Sequence, residues 1–409
     1  MLSSRGQRNA ATYNIPWRYA VAPTYNKDTN PNGVISFGLA EHGPVQPLIT
    51  EYINQNVKFT TDSICYSSTA SSHPLQPALA RHINTYFSPL HSIKPEMVIK
   101  CNGCSAAGSM LSFALAEPGD GVLVSRPVYG RFELDYWIEG GVEIVYADTE
   151  PNEVFETSCV QLYEEALLEA GRKGVRIKAL VLVNPHNPIG RCYPTKTLIE
   201  IMKFCNRYKI HLIADEIYAL CDFSSGGLHL GFIISYNAEL RRACSAMLRF
   251  HSPSGTAEQI GTAILQDQEF IHSFIDKSNR DLAFAYRLAT SVLDEASIEY
   301  VKGGNAGFFL YMNLSPYLPP STTTNAIGDN DRPLSDSERE FALAQKFLDD
   351  GLFLHPGEEH CKHLGWFRLV FSHEEGVLRE GLDRLVKTTR ELKSIGYDDL
   401  RIEIWRGTE

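Results

Sequence analysis

Two loops that follow apolar runs carry polar side chains that could bind a ligand. The loop Asn184–Gly190 comes directly after an apolar run and carries a carboxamide at Asn187. The next apolar run ends near Asp215, and a phenol follows at Tyr218. Ligands of open α/β sheets bind beyond the carboxyl ends of strands, so we expect these side chains to share one site at that edge. The structural alternatives are a proline-rich turn at the first loop and a helix cap at Asp215.

Two further segments add a candidate anion site and a buried cation. The segment Gly103–Gly108 lies between a predicted strand and a predicted helix, and its small residues let backbone N–H groups approach a phosphate. Arg368 stands inside the apolar run Trp366–Phe371, and a buried guanidinium needs a partner such as a carboxylate. An internal ion pair is the alternative for Arg368. Tyr129 is an aromatic residue in a loop, where packing is the alternative to ligand binding.

These segments are positioned by an alternation of strands and helices. Buried strands are predicted over Val98–Cys101, Gly121–Ser125, Val142–Tyr146, Ala179–Val183 and Ile210–Ala214. Helical periodicity covers Ser105–Leu115, Gln161–Gly171, Thr195–Tyr208, Asn237–Phe250 and Gly255–Ala296. This order predicts an α/β fold with a doubly wound, mostly parallel sheet. The C-terminal part predicts a smaller α+β domain, with strands near Phe308–Leu314 and Trp366–Phe371 and helices near Ser335–Asp349 and Glu374–Leu392.

Composition excludes several classes of protein. The formal charge of -11 argues against nucleic-acid binding, which needs clusters of basic residues. No run has the apolar length of a membrane span, and the N-terminal residues carry no apolar core of a secretory signal. Nine cysteines without a pairing framework predict a reducing, cytoplasmic location. The pair Cys101 and Cys104 has the spacing of half a zinc site, but no second pair accompanies it, so no metal is predicted.

Taken together, the motifs resemble the pyridoxal 5'-phosphate (PLP)-dependent aminotransferases of fold type I. The resemblance implies that Asn187 and Tyr218 bind the phenolic oxygen of the PLP ring. It implies that Asp215 keeps the ring nitrogen protonated, which lets the ring accept electrons from the substrate. Tyr129 then stacks on the ring, and Ser105 and Ala106 donate hydrogen bonds to the phosphate.

Further stretches narrow the resemblance to one branch, the 1-aminocyclopropane-1-carboxylate (ACC) synthases and the fungal ACC-synthase-like aminotransferases. These stretches are Asn30–His42, Tyr66 ahead of Leu79–Arg81, and Pro356-Gly357 ahead of Gly365–Arg368. In this branch the counterparts of Glu41, Asn187 and Arg368 contact the amino-acid substrate, with Arg368 on its α-carboxylate. The counterpart of Tyr66 reaches the cofactor of a neighbouring subunit, which implies a homodimer. His42 stands where the branch usually has an asparagine.

The resemblance also implies a three-part organisation. Residues 1–50 are predicted to form an N-terminal arm, polar and irregular to about Pro31, with part of the small domain. Residues 51–300 form the large PLP-binding α/β domain, and residues 301–409 form the small C-terminal α+β domain.

The chain departs from the family where the lysine that bonds PLP should stand. Family members follow the Asp-Glu-x-Tyr strand with a Ser-x-Ser-Lys segment and then Gly-x-Arg-x-Gly. Here only Gly227–Gly231 remains, with His229 at the arginine position, and no lysine lies between Lys209 and Lys277. His229 could bind the phosphate when protonated, or it is a strand residue that faces a loop. Lys277 and Lys302 are possible replacements for the lysine, and solvation at the surface is the alternative for Lys277.

The shortened connection also has a structural consequence. The stretch Ser224–Gly227 is long enough for a hairpin and too short for a parallel crossover, which takes a dozen or more residues. One strand is therefore predicted to be absent, so the sheet closes across the gap or leaves backbone groups unpaired. The departure fits either a natural pseudoenzyme without the lysine or a sequence from which coding segments were removed as an intron.

These features lead to two hypotheses about function. The first is a PLP-dependent aminotransferase or lyase of the ACC-synthase-like branch that acts on a small α-amino acid. Its turnover is predicted to be low or absent, because the catalytic lysine is missing and its loss removes the general base. The second is a non-catalytic protein that binds PLP or an amino acid, such as a regulatory partner of a full-length relative.

Overall fold

The structure is a computed structural model, and it describes residues 1–12, 24–59, 61–63, 74–219, 223–323, 333–357 and 363–395. The helices are α1 Ser4–Ala11, α2 Gln46–Asn56, α3 Leu75–Tyr86, α4 Gly103–Leu115, α5 Phe132–Trp137, α6 Cys159–Arg172, α7 Thr195–Tyr208, α8 Ala238–His251, α9 Gly255–Gln266, α10 Gln268–Glu295, α11 Asp336–Asp349 and α12 Glu375–Ile395. The strands are β1 Ile35–Ser36, β2 Val98–Asn102, β3 Gly121–Arg126, β4 Glu143–Asp148, β5 Ile177–Val183, β6 His211–Asp215, β7 Leu230–Ile234, β8 Glu299–Tyr300, β9 Phe309–Asn313, β10 Leu352–Phe353 and β11 Trp366–Val370.

A four-stranded parallel sheet forms the centre of the large α/β part. Its order is β4-β3-β5-β6, and every neighbouring pair is parallel, as the alternation of strands and helices predicts. Helices α6 and α7 cover one face through a cluster that includes Tyr163, Leu180 and Phe204. Helix α5 covers the other face through a cluster that includes Val124 and Tyr136. The expectation of a doubly wound, mostly parallel sheet is confirmed.

The remaining two strands of this part form a separate sheet. Strand β7 pairs antiparallel with β2, and among the described residues neither strand pairs with β6. Ile213 of β6 nevertheless packs against the same cluster as Ile99 of β2 and Ile233 of β7. The two sheets therefore lie side by side, with a gap at the position where the sequence predicts a lost strand. Of the two expected outcomes, the described residues show the one in which the free edges of β6 and β7 have no strand partner.

The prediction that Ile210–Ala214 is a buried strand is wrong in one respect. The strand forms over His211–Asp215, but His211 and Ala214 are exposed and the residues between them are only half-buried. The physical reason is the open edge, because a strand with a neighbour on one side alone remains accessible to solvent on the other.

The connection between β6 and β7 is short but well packed where the structure describes it. Phe223 contacts three hydrophobic clusters that include Leu75, Val45 and Tyr52. The hydroxyl of Ser224 donates to the carbonyl of His42 at 3.1 Å and accepts from the His42 N–H at 2.8 Å. The connection is therefore anchored to the N-terminal segment of the protein.

The C-terminal part contains its own core. Strand β9 pairs antiparallel with β11 and with β8, and β10 pairs parallel with β1 from the N-terminal segment. Phe37 belongs to the same cluster as Phe309, Phe367 and Leu382. Residues near position 35 thus complete the core of the C-terminal strands and helices.

Two other expectations about the helices need correction. The N-terminal residues before Pro31, predicted to be irregular, contain a helix over Ser4–Ala11. The Ser3 hydroxyl caps this helix by accepting a hydrogen bond from the Gly6 N–H at 3.1 Å. The long helical run from Gly255 is two helices, because the carboxylate of Asp267 caps a new helix by accepting from the Phe270 N–H at 2.9 Å. None of the described helices has the length and apolarity that crossing a membrane requires.

Candidate cofactor and substrate site

Asn187 joins three elements that the sequence separates widely. Its Oδ1 accepts from Nη1 of Arg368 at 3.0 Å, and its Nδ2 donates to the hydroxyl of Tyr218 at 3.0 Å. Asn187 is fully buried, so both bonds lie away from bulk solvent. The loop after β5, the segment after β6 and strand β11 therefore meet at this side chain, as the sequence predicts.

Arg368 is held by neutral acceptors. Besides Asn187, its Nη2 donates to the carbonyl of Gly38 at 2.5 Å, and the guanidinium lies 5.2 Å from the centre of the Phe309 ring. The side chain is 4% exposed. These contacts fix the orientation of the guanidinium, whose planar fork suits the carboxylate of a small ligand.

Arg368 also acts on a neighbouring histidine. Its backbone N–H donates to the carbonyl of His355 at 3.3 Å. Burial, with the charges of Arg368 and Arg131 in addition, lowers the pKa of His355 to about 3. His355 is therefore neutral at physiological pH and adds no positive charge to the site.

The loop Asn184–Gly190 is fixed by bonds to its own strand neighbours. The Asn184 N–H donates to the carbonyl of Asp215 at 2.9 Å, which ties the loop to β6. Gly190 has a φ of +76°, and a Cβ there would lie 2.5 Å from the carbonyl oxygen of Phe309. Only glycine fits this conformation and this close approach.

Asp215 stands at the end of β6 in a poorly solvated environment. Its Oδ1 accepts from the Ile217 N–H at 3.1 Å, which favours the ionised form. Burial is the stronger effect, and it raises the pKa of Asp215 above its usual range. A cation beside this carboxylate, such as a protonated ring nitrogen, would stabilise its ionised form.

Asp135 of α5 is a member of the site that sequence analysis missed. Its carboxyl is hydrogen-bonded to the Ser105 hydroxyl, and it lies close enough to Asp215 for the two charges to interact. Burial, together with Asp215, raises the pKa of Asp135 to about 6. An acidic residue in the first turn of a helix is an ordinary sequence feature, so no signal marks it in advance.

The predicted phosphate loop begins helix α4 and faces His229. Gly103 has a φ of +81°, and a Cβ there would lie 3.5 Å from Nδ1 of His229. Gly231 packs on the same loop, since its Cβ would lie 2.6 Å from the carbonyl carbon of Gly103. Ser105 and Ala106 lie in the first turn of the helix, where backbone N–H groups favour an anion.

The other predicted site residues are placed as follows. Tyr129 is half-buried, and its ring meets Phe132 edge-on at 5.3 Å between centroids. Glu41 is exposed, and its Oε2 accepts from Nε2 of Gln46 at 2.9 Å. Tyr66 lies outside the described residues.

Both lysines considered as replacements are engaged elsewhere. Nζ of Lys277 lies 2.6 Å from Oδ2 of Asp281 on the same helix. Lys302 pairs with Asp294 and lies 3.6 Å from the centre of the Tyr300 ring. The residues present therefore fit the non-covalent part of a PLP site, with donors for the ring oxygen and a carboxylate for the ring nitrogen. Among these described residues, none supplies the amine that bonds the aldehyde.

Comparison with known proteins agrees with this geometry. The profile of the family "Aminotransferase class I and II" matches residues 64–225 and, in a second segment, residues 221–385. The match is thus interrupted at the shortened connection between β6 and β7. Solved structures of Thermus thermophilus aspartate aminotransferase share the fold, and a single-mutant form covers 95% of this chain and 99% of its own, with a TM-score of 0.72 at 21% identity.

Relatives in sequence carry residues that this chain lacks. The "Probable inactive 1-aminocyclopropane-1-carboxylate synthase-like protein 2" of Mus musculus is 29% identical over 436 residues, covering 96% of this chain and 72% of its own. That alignment is longer than the 409-residue chain itself. The "1-aminocyclopropane-1-carboxylate synthase 2" of Solanum lycopersicum is 26% identical and covers 90% of this chain and 82% of its own. The matched profile, the fold and the meeting of Asn187, Tyr218 and Arg368 lead to one conclusion: the chain belongs to the PLP-dependent aminotransferase class I and II family, and the ACC-synthase-like resemblance is confirmed.

Proposed function

We propose that this protein binds PLP without a covalent bond, accepts a small α-amino acid beside it, and turns that substrate over slowly. The observation that carries the proposal is the chain of hydrogen bonds from Arg368 through Asn187 to Tyr218. It joins a candidate carboxylate site to a candidate ring site through one buried amide.

Each of these residues has a distinct role in the proposal. When bound, PLP supplies an aldehyde for an amino group and a protonated ring that withdraws electrons from the α-carbon. Asn187 and Tyr218 hold the ring oxygen, and Asp215 keeps the proton on the ring nitrogen. Tyr129 stacks on the ring, and Ser105, Ala106 and His229 hold the phosphate.

The substrate is held from the opposite side. Arg368 is proposed to bind the α-carboxylate, because Asn187 and the Gly38 carbonyl orient a planar guanidinium whose shape and charge suit a carboxylate. Glu41 lies three residues after Gly38, whose carbonyl also contacts Arg368, and it is proposed to attract the amino group.

The missing lysine limits the rate. A positioned general base contributes about 10²–10⁴-fold to proton transfer, and no lysine stands between Lys209 and Lys277 to provide it. The two paired lysines described above do not replace it. Low turnover of transamination, ACC formation or carbon–sulfur lysis is therefore expected.

Titration of the purified chain with PLP tests the proposal. We expect saturable quenching of protein fluorescence, release of PLP on gel filtration, and no lysine-linked PLP after borohydride reduction. Asn187→Ala and Asp215→Asn should weaken PLP binding on the order of tenfold or more, because each removes a buried polar contact. Asn313→Ala is a matched control, because Asn313 lies on β9 and its amide bonds to Glu299 and to the Ser315 N–H, which are not residues of the candidate site.

Two results would contradict the proposal. Equal PLP affinity in Asn187→Ala and Asn313→Ala would show that the ring is not held by Asn187. A lysine-linked product after borohydride would show that another lysine has replaced the missing one.

A non-catalytic role is the second candidate, and the unpaired edges of β6 and β7 favour it. A protein with an incomplete sheet suits a regulatory partner that associates with a full-length relative. The name of the mouse relative also describes an inactive protein. The two candidates are separated by sequencing messenger RNA across Asp222–Gly227, because an additional lysine-bearing segment there would favour the enzyme.

The division of the chain, its assembly and its location also remain proposals. We propose domains at 1–50, 51–300 and 301–409, which the shared cluster of Ile35, Phe37 and Leu378 supports for the N-terminal segment. A homodimer with Tyr66 at the neighbouring site follows from the branch resemblance. A cytoplasmic location is supported by free thiols, with Cys101, Cys159, Cys205 and Cys244 buried.

A further inference from the structure

The gap between the two sheets exposes two rows of backbone groups. In β6 the carbonyl of Asp215 faces β5, because it accepts from the Asn184 N–H. Backbone groups of neighbouring residues in a strand point in opposite directions, so the N–H groups of Leu212 and Ala214 face away from β5. In β7 the Ser235 N–H donates to the carbonyl of Met97 beside β2. By the same alternation, the N–H groups of Phe232 and Ile234 face away from β2.

Neither row has a strand partner among the described residues. Strand β6 pairs only with β5 there, and β7 pairs only with β2. Both strands contain five residues, and side chains of both contact one cluster through Ile213 and Ile233. Two open edges of equal length that contact one hydrophobic cluster make the space between β6 and β7, called here the slot, a candidate site for one added strand.

The chemistry of the slot specifies its occupant. Leu212 packs on the face covered by α6 and α7, and Ile213 packs on the opposite face. A strand between β6 and β7 would be covered on both faces, so it must be apolar along its length. The family profile matches in two segments, 64–225 and 221–385, that meet at this connection, and the alignment with the mouse relative runs over 436 positions against the 409 residues of this chain. We infer from both that relatives carry additional residues at this connection.

We propose that this slot binds one extended, apolar peptide strand supplied by another polypeptide, by adding it between β6 and β7. Main-chain hydrogen bonds provide the affinity, as in other cases of strand addition, and alternating side chains provide the fit. The proposal concerns the sheet alone and does not depend on PLP binding.

Amide hydrogen exchange, resolved residue by residue, tests this directly. The probe is the peptide acetyl-Lys-Val-Val-Val-Val-Val-Lys-amide, which is apolar and β-branched between its charged ends. At about ten times its Kd, exchange at Leu212, Ala214, Phe232 and Ile234 should slow by about tenfold. Their neighbours Ile213 and Ile233 are internal controls, because their N–H groups already face β5 and β2.

Two matched controls separate strand addition from hydrophobic adhesion. The same peptide with N-methylated valines keeps its side chains but cannot complete the ladder, so it should give no protection. Ala214→Pro removes one N–H from the open edge of β6, and it should weaken peptide binding by about fivefold or more. Ala214→Val keeps that N–H and should bind like the unchanged protein. Slow exchange at Ile213 in all forms confirms that the β5–β6 pairing is intact.

Three results would overturn the proposal. Slow exchange of the four edge amides without peptide would mean that the gap is already closed. Protection that rises with protein concentration alone would mean that a second copy of this chain occupies the edge. Equal protection by the N-methylated peptide would mean that backbone pairing is not responsible.

Discussion

Strands β5 and β6 are direct neighbours with different environments. Ala179–Val183 of β5 is buried throughout, with β3 on one side and β6 on the other. Among the described strands, β6 pairs with β5 alone, and the residues of β6 are exposed or half-buried. Both strands nevertheless end in residues of the candidate site, Asn187 after β5 and Asp215 on β6. The comparison shows that Asn187 follows a strand that is paired on both sides, whereas Asp215 lies on a strand that is paired on one side.

Proline substitution should give the largest difference between the two strands. Leu182→Pro places a ring in a strand paired on both sides and should cost more than about 3 kcal/mol of unfolding free energy. Ala214→Pro removes an N–H that faces the open edge, so we expect a cost below about 1 kcal/mol. Urea denaturation measures both. Similar losses in the two variants would mean that β6 has a partner on its second side.

Truncation of two leucines in register should give the next largest difference. Leu180 of β5 lies directly opposite Leu212 of β6, and both contact the cluster beneath α6 and α7. Leu180 is fully buried, so Leu180→Ala should cost about 2–5 kcal/mol, whereas Leu212→Ala should cost about half as much or less. Chemical denaturation of the two variants provides the measurement. Equal costs would contradict the difference in packing.

Removal of the buried amide should have a smaller effect on stability. Asn187→Ala leaves the Arg368 guanidinium and the Tyr218 hydroxyl each without one hydrogen bond, at a cost of about 1–3 kcal/mol. A double-mutant cycle with Tyr218→Phe measures the coupling between the two side chains. Strict additivity of the two changes would mean that the bond contributes nothing.

The smallest effect is expected at Asp135 and should depend on pH. Its pKa is about 6 in the folded protein against an ordinary value of 3.8. As pH rises, Asp135 therefore loses its proton at a lower pH in the unfolded chain than in the folded protein. The contribution of Asp135 to the free energy of unfolding falls between about pH 4 and about pH 6. Asp135→Asn removes this loss and should raise stability by ~1–2 kcal/mol at pH 7.5 and leave it unchanged near pH 3.5. Thermal unfolding of both proteins at the two pH values measures this gain in stability. An equal gain at both pH values would refute the electrostatic explanation.

Much of the fold follows from local patterns. Helix α7 has the predicted bounds Thr195–Tyr208, and β2, β3, β5 and β9 differ from their predicted bounds by one or two residues. Apolar periodicity and turn residues act within short stretches of sequence, so they are visible without the structure. The meeting of Asn187, Tyr218 and Arg368 was also foreseen, because their motifs resemble those of a family with a shared site.

What could not be predicted depends on distant or missing partners. The exposure of Ala214 reflects the fact that β6 pairs on one side alone among the described strands, which no pattern within Ile210–Ala214 encodes. The position of Asp135 beside Ser105 depends on how α5 packs against α4, and neither residue carries a motif for that contact. The anchoring of Ser224 to His42 joins segments separated by 182 positions, which no local pattern encodes.

The short connection after Tyr218 has a consequence for how such a protein can change over time. Its two ends are anchored independently, Tyr218 at Asn187 and Phe223 in the surrounding hydrophobic clusters. Material gained or lost between these anchors leaves the scaffold on either side in place. Insertion or deletion at this position therefore changes the sheet without removing the contacts that hold its two flanks.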